Sequence, residues 1–299
     1  MKDNFDIKPQ AKIAVLLAAY NGQDWIQEQV ETILHQKNVI VKIFISIDFS
    51  NDDTYQICSK LERENESIII LPYGNIFGGA AKNFYRLIKD VSFSDFDYVS
   101  LSDQDDVWHY DKLFLATISL EAENARGYSS NVTAFWEDGR EKLVKKSYKQ
   151  KRFDYYFESS GPGCTFVLEN KSAILLKKFI TNNWININCI DSHDWLIYAF
   201  FRSRNISWYI DSRSLMRYRQ HDSNQVGLNS GFFAYIKRLK MIKNGWYKTE
   251  VINISNIINT DRHVDFNLRK TFLIKHFYHL RRNNRDAFIL LFVILLGIF

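Results

Sequence analysis

At 299 residues, 46% apolar and 24% charged, the chain can bury a full hydrophobic core, which excludes a disordered protein and a miniprotein that depends on staples. Its three cysteines, Cys58, Cys164 and Cys189, are widely spaced and form no Cys-x-x-Cys, so a disulfide framework and a zinc ribbon are excluded and a reducing compartment is expected. The net charge of +5 is uneven: Arg262, Arg269, Lys270, Lys275, Arg281, Arg282 and Arg285 face Asp265 alone across that stretch, so the basicity marks one end of the chain.

Met1 to Gln10 is polar and lacks an apolar signal region, which points to the cytoplasm. Lys12 to Ala19 reads as a buried strand, because Ile13, Ala14, Val15, Leu16 and Leu17 run together without alternation. Tyr20-Asn21-Gly22 is a turn signal, and Ile26, Val30, Ile33 and Leu34 share one face of the helix that follows. Val39 to Asp48 is a second apolar strand ending in an acid. Thr54 to Glu64 reads as a helix, Ile68 to Leu71 as a third strand stopped by Pro72, Asn83 to Lys89 as a helix, and Tyr98 to Ser102 as a fourth strand. This alternation predicts an α/β fold, a mostly parallel sheet flanked by helices. Ligands of such sheets sit beyond the carboxyl ends of the strands. The turn after the first strand, Asp48 after the second and the acids after the fourth should therefore converge on one edge.

Ala134 to Lys151 is charged and reads as loop. Gly161-Pro162-Gly163-Cys164 precedes an apolar run, Thr165 to Leu168. His193-Asp194-Trp195 opens a helix through Phe201, Ile206 to Ile210 reads as a strand, and Tyr218-Arg219-Gln220-His221 follows as a polar loop. Beyond Gly231 the chain turns helical and basic, with Phe232, Phe233, Ile236 and Leu239 on one face. A boundary near residue 225 divides an α/β domain, residues 1–225, from a helical, basic C-terminal region, residues 226–299. Ala287 to Phe299 carries no charge. As a helix it rises roughly 20 Å, short of the ~30 Å hydrocarbon core. Contact with a membrane surface, or packing against protein, is expected in place of a span.

The densest chemistry lies in Ser102-Asp103-Gln104-Asp105-Asp106-Val107-Trp108. An Asp-x-Asp at a strand end offers two hard oxygen ligands suited to Mg²⁺ or Mn²⁺ and leaves room for a diphosphate. A solvated acidic loop is the plainer alternative, but it concentrates negative charge that a cation would relieve. Asp48 can accept a hydrogen bond from a base or ribose, while Ser50 through Asp53 suit a helix cap. Asp194, in the first turn of a helix, is either a general base or a cap favoured by the dipole. His221 is a metal ligand or a structural histidine, and Arg219 beside it can bond phosphate oxygens. Gly78-Gly79, ahead of Lys82 and Asn83, brings backbone close to a nucleotide or forms an ordinary loop. No Gly-x-x-x-x-Gly-Lys-Ser/Thr occurs, which removes a P-loop NTPase.

Taken in order, these pieces resemble glycosyltransferase family 2, whose fold is the Rossmann-like GT-A. Val15 to Gly22 resembles the family's opening strand and turn, and Ile45 to Thr54 its nucleotide-binding Asp-Asp-Gly-Ser-x-Asp-Gly-Thr loop. Ser102 to Trp108 resembles its metal motif, and His193-Asp194-Trp195 and Tyr218-Arg219-Gln220-His221 its later motifs; these three together resemble the rhamnosyltransferase branch of bacterial surface-polysaccharide synthesis. The resemblance implies a donor-binding set of Ala18, Tyr20, Asp48, Lys82, Asp103 and Arg219. It implies a metal set of Asp103, Asp105 and His221 for Mg²⁺ or Mn²⁺, with Asp194 as the base of an inverting transfer. The implied donor is dTDP-rhamnose, with a UDP-hexose as runner-up. The basic, apolar C-terminus points to a lipid-linked saccharide acceptor at the inner face of the cell membrane, and no nucleic-acid partner is expected. Three positions depart from the pattern: Ile47 replaces the first acid of the loop, Phe49 its glycine, and Ala18 a common hydroxyl residue. An aspartyl-phosphate phosphatase would need its acidic motif on the first strand. A non-catalytic assembly homologue is the reading that Ile47 and Phe49 favour.

Overall fold

The computed structural model describes residues 9–221, 244–259 and 266–299. The boundary near 225 and the helical face from Phe232 to Leu239 lie outside the described residues. Strand β1 (Ala11–Ala19) is buried without a break from Ile13 to Ala19. Its side chains alternate between two cores: Ala14, Leu16 and Ala18 enter one, while Ile13, Val15, Leu17 and Ala19 enter the other. A strand covered on both faces needs apolar residues at every position, which is why it shows no period of two.

Parallel to β1 lie β2 (Val39–Ile47), with Ala19 opposite Ile47, and β4 (Tyr98–Ser102), with Leu17 opposite Ser102. Strand β3 (Ile68–Ile70) extends the parallel half beyond β2. The sheet then continues from β4 through β8 (Val167–Glu169), β6 (Gly127–Phe135) and β9 (Trp208–Arg219) to β5 (Val107–Trp108), and β7 (Glu141–Val144) pairs with the far end of β6. Here β8 runs antiparallel to both neighbours, β6 and β9 are parallel, and β5 is antiparallel to β9. The expected parallel sheet is thus its N-terminal half, and a mixed half is joined to it.

Helices α1 (Ile26–Leu34), α2 (Thr54–Glu64) and α4 (Lys112–Ala122) carry residues of the second core. Helices α3 (Ala80–Asp90), α5 (Asn170–Asn182) and α7 (His193–Ser203) cover the first. The short α6 (Trp184–Ile187) lies between α5 and α7. The helices Trp246–Asn259, Lys270–His276 and Asn284–Leu295 contribute Val251, Ile254, Ile258, Leu273, Leu290 and Ile294 to that same first core, among Tyr156, Trp195 and Phe201.

Two stretches differ from the sequence expectation. Part of the charged stretch Ala134 to Lys151 pairs as β7 and the end of β6. The strand expected at Ile206–Ile210 starts at Trp208 and continues to Arg219, so Tyr218 and Arg219 are strand residues and the loop begins at Gln220. Strand β6 holds buried Ser129, Ser130 and Asn131, yet each finds a partner: Trp208 Nε1 donates to Ser129 Oγ at 3.0 Å, and Asn131 Nδ2 donates to Ser212 O at 2.7 Å. Ser130 Oγ donates to Asn131 O at 3.0 Å. Buried polar groups are tolerated when they are satisfied in this way.

The C-terminal packing includes one titratable joint. Glu250 is buried on the helix Trp246–Asn259, and its Oε1 accepts from Ser192 N, at the start of α7, at 2.8 Å. Burial pushes its carboxyl from 4.5 up to about 7. An acid held above its unfolded value costs stability as pH rises from the unfolded pKa through the folded one. Glu250→Gln keeps the acceptor and removes the ionisation. Its melting temperature should match wild type near pH 4.5 and exceed it above pH 7, with an upper bound on the order of 3 kcal/mol. Parallel melting curves at the two pH values would contradict this.

Candidate active site

The β1–α1 turn and the β2–α2 loop are stitched together by short polar side chains. Asn21 N donates to Ser50 Oγ at 3.1 Å, Gly22 N to Thr54 Oγ1 at 2.7 Å, and Asn51 N to Asn21 Oδ1 at 2.9 Å. Asp48 follows β2 and is almost fully buried. Its Oδ1 accepts from Phe49 N at 2.9 Å and Phe77 N at 2.8 Å, and its Oδ2 from Gly78 N at 2.9 Å. Asp48 therefore draws the Gly78-Gly79 loop onto the strand end and keeps part of one oxygen free. Of the other expected donor-binding residues, Tyr20 is half-exposed at the end of β1, Lys82 is half-buried in the first turn of α3, and Ala18 points into the first core. Ala18 thus presents no side chain at the edge.

The acidic loop is fastened to the same edge by Gln104. Tyr20 N donates to Gln104 Oε1 at 2.7 Å, and Gln104 Nε2 donates to Tyr20 O at 2.8 Å. A Cβ at Gly22 would fall 2.3 Å from Gln104 Oε1, so this close approach requires glycine. Asp103, Asp105 and Asp106 crowd the far side of the loop. Burial pushes the Asp103 carboxyl up to about 7, with the charges of Asp105 and Asp194 adding to the effect and a hydrogen bond with Cys164 opposing it. Burial, followed by the charges of Asp105 and Asp103, pushes Asp106 well above the carboxylate range. Asp106 Oδ1 accepts from Arg219 N at 3.3 Å, and its Oδ2 has no hydrogen-bond partner among the described residues.

Such a gathering of carboxylates fits a divalent cation, which would relieve the mutual repulsion and use the orphaned oxygen. The tightest trio of ligand atoms belongs to Asp103, Asp106 and Cys164, all within 4.8 Å of one another. Asp105 turns instead to His221, whose Nε2 lies 2.7 Å from Asp105 Oδ2 and whose ring stacks on Trp25 at 4.0 Å. Arg219 reaches the loop as well: its Nε donates to Asp105 O at 2.9 Å, and its Nη2 pairs with Glu28. Behind the acids lies Lys112, fully buried, with Nζ 3.3 Å from the Trp108 ring centroid; burial lowers its ammonium to about 7.

Asp194 occupies the first turn of α7, where its Oδ1 accepts from Trp195 N at 2.7 Å. Burial raises its carboxyl; the Trp195 N–H, a hydrogen bond with Ser159 and the charge of Lys146 pull it back. The loop Gly161-Pro162-Gly163 carries this residue to the acids. A Cβ on Gly163 would meet His193 Nε2 at 2.4 Å and Asp194 Cβ at 3.4 Å, so glycine lets the start of α7 rest on the loop. The next residue, Cys164, brings its Sγ within 4.8 Å of carboxylate oxygens of Asp103 and Asp106. The base candidate and the acidic cluster thus touch adjacent residues of one loop.

Sequence reasoning left Gln104 and Asp106 without roles, although both lie inside the acidic motif it singled out. It also set Cys164 aside because no cysteine spacing marked it. Lys146 gave no motif, and Arg281 and Arg282 were read only as part of the basic C-terminal stretch, yet Lys146 packs on Gly161 with Cβ and Cγ 3.7 Å from a Cβ built there, and both arginines bear on its charge.

An acid-pinned glycine loop, a carboxylate cluster and a half-buried helix-start carboxylate gather at the edge where ligands of α/β sheets bind. The family model for glycosyl transferase family 2 matches residues 14–183, and the chain belongs to that family. It is 47% identical over 289 residues to the dTDP-rhamnosyl transferase RfbG of Shigella flexneri, covering 95% of this chain and 100% of the relative. It is 33% identical over 111 residues to the UDP-Glc:α-D-GlcNAc-diphosphoundecaprenol β-1,3-glucosyltransferase WfaP of Escherichia coli, covering 37% of this chain and 42% of that one. Among solved structures, S. aureus TarS in complex with UDP superposes with a TM-score of 0.54 at 13% identity, covering 95% of this chain and 70% of that one. The mannosyltransferase PcManGT of Pyrobaculum calidifontis, in complex with GDP-Man and Mn²⁺, gives 0.52 at 11%, covering 99% and 89%. The fold is GT-A, and the protein is a glycosyltransferase.

Proposed function

We propose that this protein is an inverting, metal-dependent rhamnosyltransferase that moves L-rhamnose from dTDP-rhamnose to a hydroxyl of a lipid-linked saccharide. The observation that carries this reading is the single loop on which Asp194 and the acidic cluster meet, because it sets a base beside a diphosphate-sized acidic site. Identity to a dTDP-rhamnosyl transferase across the whole chain supports the donor. Asp48 and Tyr20 hold the nucleoside, and Lys82 and Arg219 face the diphosphate. Asp103, Asp105 and His221 would hold Mg²⁺ or Mn²⁺. When bound, the cation would offset the charge that develops on the departing nucleoside diphosphate. Asp194 takes the proton of the acceptor hydroxyl as that oxygen attacks the anomeric carbon. A single base opposite the leaving group gives inversion.

The test is a transfer assay with a lipid-linked acceptor and a panel of dTDP-rhamnose, UDP-glucose, UDP-GlcNAc and GDP-mannose, each with and without chelator. Transfer from dTDP-rhamnose that chelator abolishes is expected. Preference for a UDP-hexose would move the reading to its runner-up, and transfer from no donor would favour the non-catalytic one.

Residues 226–299 are proposed as the region that meets the membrane. On the helix Asn284–Leu295, Ala287, Leu290 and Ile294 face the core while Phe288, Ile289, Phe292 and Leu295 lie exposed, with Lys270, Lys275 and Arg285 nearby in sequence. Among the described residues, no helix is long and apolar enough to cross a membrane. An exposed apolar face beside basic residues suits an anionic surface, here the inner face of the cell membrane. The double substitution F288D/F292D should weaken sedimentation with anionic vesicles by about tenfold or more, and should spare transfer to a water-soluble acceptor. Unchanged vesicle binding would reject this face.

A further inference from the structure

Two large rings stand uncovered where β1 and β2 end: Tyr20, 52% exposed, and Phe49, 47% exposed. They leave from neighbouring strand ends, since Ala19 pairs with Ile47 and Asp48 N donates to Ala19 O at 2.8 Å. At the same strand end is the Asp48 carboxylate, with three acceptor positions filled by the backbone N–H groups of Phe49, Phe77 and Gly78. A carboxylate offers about four such positions, so one remains, on Oδ2. A single acceptor can take the imide N–H that thymine and uracil share, and it finds no donor on the bare N3 of cytosine. It cannot separate thymine from uracil, which differ by a methyl group at C5. That distinction needs an apolar partner.

Phe49 follows directly on Asp48, and its position is fixed. Its ring lies parallel to Tyr73, with centroids 6.2 Å apart and planes at 11°, and Tyr73 in turn stacks on Tyr55 at 4.2 Å and 14°. The Tyr73 hydroxyl accepts from Ser50 N at 3.2 Å, and Phe49 N also donates to Asn75 O at 3.1 Å. A ring ordered so firmly yet left half in water forfeits part of its burial energy unless a ligand covers it. We propose that Phe49, backed by Tyr73 and Tyr55, is the specificity-determining residue that selects a thymine over a uracil nucleotide by contact with the 5-methyl group. This rests on the dTDP-donor reading above.

Calorimetry on the full chain with Mn²⁺ present tests it, using dTDP, dUDP, UDP and 5-methyluridine diphosphate. The pairs dTDP/dUDP and 5-methyluridine diphosphate/UDP isolate the methyl group from the 2′-hydroxyl. Wild type should bind the methylated member of each pair about fourfold more tightly. F49G should bring both ratios close to one, and F49L should keep most of the preference. If F49G melts well below wild type, F49S is read in its place. A wild-type ratio of one, or a ratio that persists in the glycine or serine variant, overturns the inference. Failure of wild type to bind any of the four removes the pyrimidine donor reading and this inference together. Binding of all four without methyl preference sinks this inference alone.

Discussion

Asp194→Asn should lower rhamnosyl transfer by roughly 10²–10⁴-fold while donor affinity holds, because a positioned base contributes about that much, or ~3–5 kcal/mol of barrier. The substitution is conservative where structure is concerned. An asparagine Oδ1 can still accept from Trp195 N, as Asp194 Oδ1 does at 2.7 Å. What it cannot do is take a proton. Titration adds a second readout. Burial raises the Asp194 carboxyl above the ordinary range, so the acid limb of the wild-type rate profile should lie above that range, with activity lost as pH falls through it. Removing the charge of Lys146, one of the influences that lower Asp194, should move the limb further up in Lys146→Met. Single-turnover transfer across pH, together with calorimetry of dTDP binding, checks both statements. Full turnover in the asparagine variant would refute the base assignment.

Asp105→Ala should abolish metal-dependent donor binding, a loss on the order of 100-fold or more in dTDP affinity with Mn²⁺ present. The geometry makes this substitution readable. Arg219 bonds the main-chain carbonyl of Asp105 at 2.9 Å, and that contact survives the loss of the carboxylate. His221 loses its 2.7 Å partner, so the proposed metal site would give up an oxygen ligand and the group that aims the imidazole. Calorimetry with and without Mn²⁺ should show a wide gap for wild type and none for the variant. A variant that keeps the wild-type response to Mn²⁺ would exclude Asp105 as a ligand. The cluster would then centre on Asp103, Asp106 and Cys164, whose ligand atoms already lie close together.

Much of this could be read from the amino acids because the first half of the sheet is buried on both faces. The unbroken run Ile13–Leu17 and the largely apolar Val39–Ile47, interrupted only at Lys42 and Ser46, favour parallel strands, and the ends of the parallel strands bring Tyr20, Asp48 and Asp103 to one edge. The mixed half was hidden for the opposite reason. Strand β6 reads as Gly-Tyr-Ser-Ser-Asn-Val-Thr-Ala-Phe, a polar segment made acceptable by Trp208, Ser212 and Ser214 far along the chain. No local pattern records those partners. Asp106 was legible as an acid but not as the most buried of the cluster, because burial depends on how β9 closes over it through Arg219. Lys146 and Cys164 join the site through the glycine loop, a contact set by tertiary packing alone.

The chain's final stretch does more than supply an apolar surface. Arg282, buried, donates from Nη2 to Ser159 O at 2.7 Å and from its main-chain N–H to Glu158, while Arg281 reaches Phe157 O at 2.9 Å. Ser159 Oγ donates to Gly161 O at 2.9 Å, in the loop whose Gly163 packs against Asp194. A tether tightened by lipid engagement at the last helix would therefore pull on the platform beneath the proton acceptor. Affinity handles and fusions are best attached at the opposite terminus, and trimming the tail should cost turnover as well as localisation.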